Sequence, residues 1–229
     1  MTERELRLLC LDTASPLASV ALCRRDGGGT TTVAQWSSAG RHSSSLLLAR
    51  IDDLLETARW QLGDLDGLIG LAGPGSFTGT RVGLATLFGL HQGLKVPAVA
   101  LPTTRVLAQL APRASRRVLA AVDALRDEWY VEEYSGEDLL RPQSTATLMR
   151  SHELARQESA AVIGFGVERL AALEPSSSLQ IEPALALAPV APSLLADPDV
   201  QDPAAWDAFT LLSPIYARTP AMLERRPAR

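Results

Sequence analysis

Residues 73–93 read GPGSFTGTRVGLATLFGLHQG, with six glycines and a single charged side chain, Arg81. Gly73-Pro74-Gly75 is a turn, and the spacing predicts a helix over 76–93. Glycine costs up to about 1 kcal/mol relative to alanine at an interior helix position. Four of them at 79, 83, 89 and 93 therefore imply that another backbone comes close. At 100° per residue, Gly79, Gly83, Thr86, Leu90 and Gly93 fall near one line. Val82, Ala85 and Gly89 widen that small-residue side, while Phe77, Leu84, Leu87, Phe88 and His91 form a bulky one. A helix apolar all round is expected to be buried all round. Its neighbour is either the preceding helix or a helix of another chain. A glycine-rich strand-to-helix junction can also cradle an anion. Here the spacing lacks the lysine of a P-loop, the dinucleotide fingerprint and the nucleophile elbow, so close packing is favoured over ligand cradling.

The surrounding pattern is α/β. Apolar runs at 7–13 and 18–24 flank Ala14-Ser15-Pro16 as a hairpin, and β-branched residues over 30–37 follow a Gly27-Gly28-Gly29 turn. A helix is predicted over 43–60, with Ser43 as N-cap. Leu47, Leu48, Ile51, Leu54, Leu55 and Ala58 share its core-facing sector, and Leu46, Ala49 and Trp60 are apolar residues outside it. Short strands over 67–71 and 98–101 bracket the glycine-rich helix. The order hairpin, strand, helix, strand, helix, strand predicts a mixed sheet with parallel later strands.

A second hairpin, 118–123 with 128–134, opens the other half about 110 residues later. A strand over 161–165 follows, with Gly164 and Gly166 at its end. Residues 174–203 carry too many prolines for one helix, and a last helix is expected over 204–212. Each hairpin's first strand ends in an aspartate, Asp12 and Asp123. A duplicated lobe with an aspartate at each hairpin tip is the arrangement by which actin-like and hexokinase-like ATPases hold phosphate and metal. Asp12 lacks further acidic or glycine-rich companions and reads better as a turn residue satisfying nearby N–H groups; Asp123 is weaker still, because Ala124-Leu125-Arg126 supplies no flexible phosphate-binding loop.

Other functions are disfavoured by composition. A net charge of −4 with a single lysine, Lys95, does not suit a chain that grips nucleic acid alone. Three histidines, His42, His91 and His152, share no helical face, and His42 is followed four residues later by Leu46. No apolar run reaches membrane-spanning length, and 1–7 lacks the order of a secretory signal. Cys10 and Cys23 would not sit opposite each other in the first hairpin, so reduced thiols in a cytoplasmic protein are expected.

Leu9-Cys10-Leu11-Asp12-Thr13-Ala14-Ser15, His42-Ser43, GPGSFTGTRVG at 73–83, the stretch 123–130 and Pro214-Ile215-Tyr216-Ala217-Arg218 occur in one order. Together they resemble the TsaB (YeaZ) family, the dimerisation subunit of bacterial tRNA threonylcarbamoyladenosine synthesis. Thr80 stands where the family usually has Leu, and Ala14 where it often has Ser. The resemblance implies an actin/hexokinase-like (ASKHA) two-lobed fold, each lobe a mixed sheet flanked by helices. It implies an N-terminal lobe over 1–102, a C-terminal lobe over 103–203, and a terminal helix and tail over 204–229 packing back on the first lobe.

The resemblance also implies a non-catalytic scaffold without cofactor or metal. Its partners would be TsaD, the metal-binding subunit that transfers the threonylcarbamoyl group, and the small ATPase TsaE. The chain would form a homodimer when TsaD is absent, and tRNA would be engaged only indirectly. Where this chain has His42 and Leu46, the catalytic relative carries a His-x-x-x-His. Pairing would use the two helices of the first lobe, through Leu46, Ala49 and Asp53 on one and Gly79, Gly83, Thr86 and Leu90 on the other. Gly83→Leu is accordingly expected to abolish pairing and leave the fold largely intact. Asp12, Asp123, Gly164 and Gly166 would be degenerate nucleotide-site positions. The alternative is an active ATPase or small-molecule kinase of the same fold; a peptidase is a weaker rival, lacking both metal centre and nucleophile.

Overall fold

The computed structural model describes residues 4–39, 46–112, 114–135, 139–143, 145–157, 159–173, 180–183, 186–196 and 200–217. The expected N-cap Ser43, together with His42 and Arg218, lies outside the described residues.

β1 (Leu6–Asp12), β2 (Leu17–Asp26) and β3 (Gly29–Ala39) form an antiparallel meander. β4 (Gly67–Leu71) joins β1 in parallel, and β5 (Ala98–Leu101) joins β4, giving the order β3-β2-β1-β4-β5. The second half repeats the plan with shorter pieces. β6 (Arg117–Asp123), β7 (Glu128–Ser135) and β8 (Thr147–Arg150) are antiparallel. β9 (Ala161–Gly164) and β10 (Gln180–Pro183) add in parallel, in the order β10-β9-β6-β7-β8.

Strand side chains alternate between faces, and β1 is buried on both. Leu8 and Cys10 enter the core between the two sheets, where Val118, Ala120 and Ile163 of the second sheet meet them. Leu9 and Leu11 enter a second core beneath the helices α1 (Leu47–Ala58) and α2 (Phe77–Leu94). Cys10 lies opposite Ala21 and Cys23 opposite Leu8. Both thiols are free and buried.

Leu47, Ile51, Leu54 and Leu55 bury the predicted stripe of α1, but Leu48, at the edge of that sector in the first turn, is 60% exposed. The helix ends at Arg59 in a left-handed conformation, before Trp60. In α2 the expectation of burial all round is corrected. Thr80, Gly83, Leu84 and Leu87 are buried, whereas Thr78, Arg81, Ala85, Gly89, Gln92 and Gly93 are exposed. The buried and exposed sets lie on opposite sides of the helix; the sheet covers only one.

The sequence pattern missed several short elements. α3 (Thr103–Ala108) runs straight on from β5, with five of its six residues buried, and α4 (Ser151–Ala155) follows β8. The expected helix over 204–212 is instead two single 3-10 turns, 203–205 and 208–212, each started by an aspartate accepting a backbone N–H. This tail lies against the first sheet's β5 edge. Thr210 Oγ1 accepts from the Ala100 amide at 2.8 Å, and the Ile215 amide donates to the Ala72 carbonyl at 2.7 Å. No helix among the described residues is long and apolar enough to cross a membrane.

Candidate functional site

The tip of β1 and the start of α2 are built around each other. Thr13 Oγ1 donates to the Gly79 carbonyl at 2.7 Å, and the Ser76 amide donates to the Ala14 carbonyl at 2.6 Å. A Cβ on Gly79 would sit 1.9 Å from the Thr13 carbonyl oxygen, and one on Gly83 would sit 2.2 Å from Thr13 Oγ1. Gly75 meets the Ala14 carbonyl in the same way. Gly73 takes a φ of +90°, against the Ile215 carbonyl. The close backbone approach that the glycines imply is therefore to the strand tip of the same chain. Gly79 and Gly83 face inward, and Gly83→Leu would collide with Thr13, so the expectation that this variant keeps its fold is corrected.

This packing also occupies donors that an anion would need. The Ser76 amide is taken by Ala14, the Gly79 amide by Ser76 Oγ at 3.2 Å and the Thr80 amide by the Ser76 carbonyl. Thr80 is buried and satisfies its hydroxyl by donating to the Ser76 carbonyl.

Asp12 is fully buried. Its Oδ1 accepts from the Ala14 amide at 2.8 Å and the Ser15 amide at 3.1 Å, while Oδ2 has no protein partner. Burial pushes its carboxyl up to about 6, against the lowering effect of the bonds from Ser15 and Ala14.

Asp123 is in a different setting. By strand parity Asp12 follows Leu8 and Cys10 toward the core between the sheets, whereas Asp123 follows Leu119 and Ala121 toward the opposite face. Its side chain is 35% exposed; Oδ1 accepts from the Leu125 amide and Oδ2 meets Arg169 at 3.0 Å. The Arg169 guanidinium lies over the Trp129 ring at 4.3 Å. The two aspartates thus do not converge. Gly164 is required by packing, since a Cβ there would meet the Ala121 carbonyl at 2.2 Å. Gly166, at φ +75°, begins the 3-10 turn 167–172.

His91 Nδ1 lies 2.8 Å from the Val96 carbonyl, and His152 is exposed on α4. No cluster of three or more metal-ligating side chains occurs among the described residues.

The exposed sides of α1 and α2 form the other candidate. Both helices lie on the same face of the first sheet. Leu46, Leu48, Ala49 and Asp53 are exposed on α1. On α2, Val82, Thr86 and Leu90 are half-exposed, and at Gly89 and Gly93 an added Cβ meets nothing within 4 Å.

The family model described as TsaD, tRNA N6-adenosine threonylcarbamoyltransferase, matches residues 36–149. The Escherichia coli (strain K12) protein named tRNA threonylcarbamoyladenosine biosynthesis protein TsaB is 32% identical over 199 residues, 83% of this chain and 84% of its own length. The chain belongs to the TsaB (YeaZ) family. A TsaB protein of Haemophilus influenzae is 36% identical over 129 residues, 56% of this chain and 53% of that protein. The solved structure of YeaZ from Pseudomonas aeruginosa superposes with a TM-score of 0.74 at 26% identity, covering 92% of this chain and 99% of that one. With the two mixed five-stranded sheets, this establishes the actin/hexokinase-like two-lobed fold that the TsaB resemblance implied.

Within this TsaB-family chain, Thr13 is the residue that sequence reasoning passed over, although it contacts both Gly79 and Gly83. Its signal was present in the i, i+4 spacing of those two glycines, which clears one strip of α2.

Proposed function

We propose that this chain acts in tRNA threonylcarbamoyladenosine biosynthesis as a non-catalytic scaffold, pairing with TsaD through the exposed sides of α1 and α2. The names of its TsaB relatives support the pathway. The observation that carries the pairing is the outward side of α2. An 18-residue helix with one charged residue before its C-cap leaves Ala85, Gly89 and Gly93 exposed, and α1, on the same face of the sheet, exposes Leu46 and Leu48. A surface of small residues lets a partner backbone approach closely, and Leu46 and Leu48 supply apolar area to bury.

Of the residues expected to touch the partner, Leu46, Ala49, Asp53, Thr86 and Leu90 stay in this reading, and Gly89 and Gly93 join them. Gly79 and Gly83 act behind the surface by setting α2 against β1. The same surface would support a homodimer when TsaD is absent, with TsaE joining the paired complex and tRNA held chiefly by the other subunits. The divergence of Asp12 and Asp123 favours a scaffold over the ATPase or kinase alternative, because a shared phosphate site needs both tips to face one cleft. The lobes would divide at about residue 102, with the described part of the tail, 204–217, returning to the first.

Light scattering on a sizing column, with the chain alone, TsaD alone and the two mixed, tests this reading. A mixed peak at the summed mass is expected. Two unchanged peaks, with nucleotide and TsaE present as well, would overturn it.

A further inference from the structure

The stretches 73–83 and 214–216, far apart in the chain, meet in the fold. The Ile215 amide donates to the Ala72 carbonyl at 2.7 Å, which fixes the tail beside the start of α2. Tyr216 then lies against Phe77, their ring centroids 5.1 Å apart. Arg81, one helical turn after Phe77, completes the group. Its Cζ is 3.8 Å from the Phe77 ring centroid and 5.6 Å from that of Tyr216, and its Nε donates to the Tyr216 hydroxyl at 2.8 Å. Arg81 is nevertheless exposed, and no carboxylate among the described residues pairs with it. On α1, by contrast, Asp53 is already paired with Arg50 at 2.7 Å.

A solvated surface arginine samples many rotamers. This one is held at its Nε and across its face, so the fork of its two Nη groups is presented already oriented. Arg81, Ala85 and Gly89 are spaced by four along the open side of α2. Arg81 and Gly89 are about 12 Å apart along the helix axis, within the span of an interface of about 800 Å2 per partner. A partner seated on Gly89 therefore also takes water from Arg81. A guanidinium cannot shed its proton in a protein, and an unpaired desolvated charge is strongly destabilising. The partner must bring an anion to this point.

We propose that Arg81 is the polar anchor of the pairing surface, taking a carboxylate of TsaD on its two Nη groups, and that Tyr216 is the positioning residue that holds it for this contact. The proposal rests on the pairing reading above and adds the charged contact that fixes where the partner sits along α2. It also gives the returning tail a role. A planar fork matches a carboxylate bidentately, which supplies direction as well as attraction.

Calorimetric titration of the full chain against TsaD, run with and without nucleotide, tests it, with Gly89→Trp as the control for the surface itself. Arg81→Gln should weaken pairing about tenfold or more, and Arg81→Lys nearly as much, because an ammonium lacks the fork. Tyr216→Phe keeps the ring and removes only the hydroxyl. It should weaken pairing about threefold, and add nothing when combined with Arg81→Gln. All three variants should melt like the parent, since Arg81 is exposed and Tyr216 half-exposed. In double-mutant cycles, one Asp or Glu of TsaD should lose its contribution to pairing when Arg81→Gln is present. Undiminished pairing by Arg81→Gln, with Gly89→Trp unable to pair, would overturn the anchor and leave the surface standing. Coupling of Arg81 to no TsaD carboxylate would overturn it as well. Failure of the parent chain to pair under either condition would overturn the pairing reading and this proposal with it.

Discussion

The two hairpin tips, Asp12–Ser15 and 123–127, occupy equivalent places in a duplicated sheet and have opposite environments. The first is sealed under α2, with the Thr13 and Ala14 carbonyls against Gly79 and Gly75 and the Thr13 hydroxyl against Gly83, and its carboxylate is fully buried. The second is open. Leu125, Arg126 and Asp127 all have positive φ, Leu125 is 71% exposed, and Asp123 meets Arg169 at the surface. Duplication preserved strand order but not which face each aspartate takes. A site made from both tips needs both side chains in one cleft; here only Asp12 points toward the core between the sheets.

The largest effect is expected where the sealed tip cannot yield. Gly79→Ala puts a methyl against the Thr13 carbonyl, and Gly83→Leu puts a whole side chain against Thr13 Oγ1. Each should cost about 3 kcal/mol or more, with Gly83→Leu the worse, measured by urea unfolding. Ordinary stability in Gly83→Leu would show that the tip and α2 are not locked.

Next comes Asp12. Its folded pKa of about 6 lies above the unfolded carboxylate value of about 3.9. The native state therefore holds a proton that the unfolded chain releases between these values. Stability from this group is fully present below about pH 4 and is lost as pH rises through about 6. Asp12→Asn should flatten that decline and raise stability at pH 7 by up to about 2 kcal/mol, read from urea midpoints at pH 4, 5.5 and 7. A parallel pH profile in both proteins would contradict this.

At the open tip the effects are smaller. Leu125→Gly removes a left-handed conformation that costs a leucine about 1 kcal/mol, so a slight gain in melting temperature is expected. Asp123→Asn breaks one partly exposed ion pair and should lose no more than about 1 kcal/mol. A loss as large as that of Gly79→Ala would erase the contrast between the tips.

The first sheet was legible because its central strands are apolar runs separated by strong turn signals, and because α1 carries a clean stripe. The second sheet's edges were not. β8 is TLMR with three of four residues exposed, and β10 is a four-residue strand ending at Pro183, so neither shows an alternating apolar face. α3 is six residues long and begins with two threonines after Pro102, a pattern that reads as loop until the inter-sheet core buries it. The spacing of glycines in α2 correctly announced a close neighbour but not which one. That depended on where the Thr13 turn returns in space. Ala85, Gly89 and Gly93, on the side the sheet leaves open, read in the sequence as part of a buried helix because an apolar face looks alike whether the sheet or solvent lies over it.

The account rests on that open side of α2, and Gly89→Trp tests it most directly. Gly89 is exposed and a Cβ there meets nothing within 4 Å, so the variant should fold and melt like the parent chain. Titrated against TsaD by calorimetry, it should show pairing weakened beyond detection while the parent binds. Undiminished affinity in a fully folded Gly89→Trp would contradict the assignment of α2 as the pairing surface.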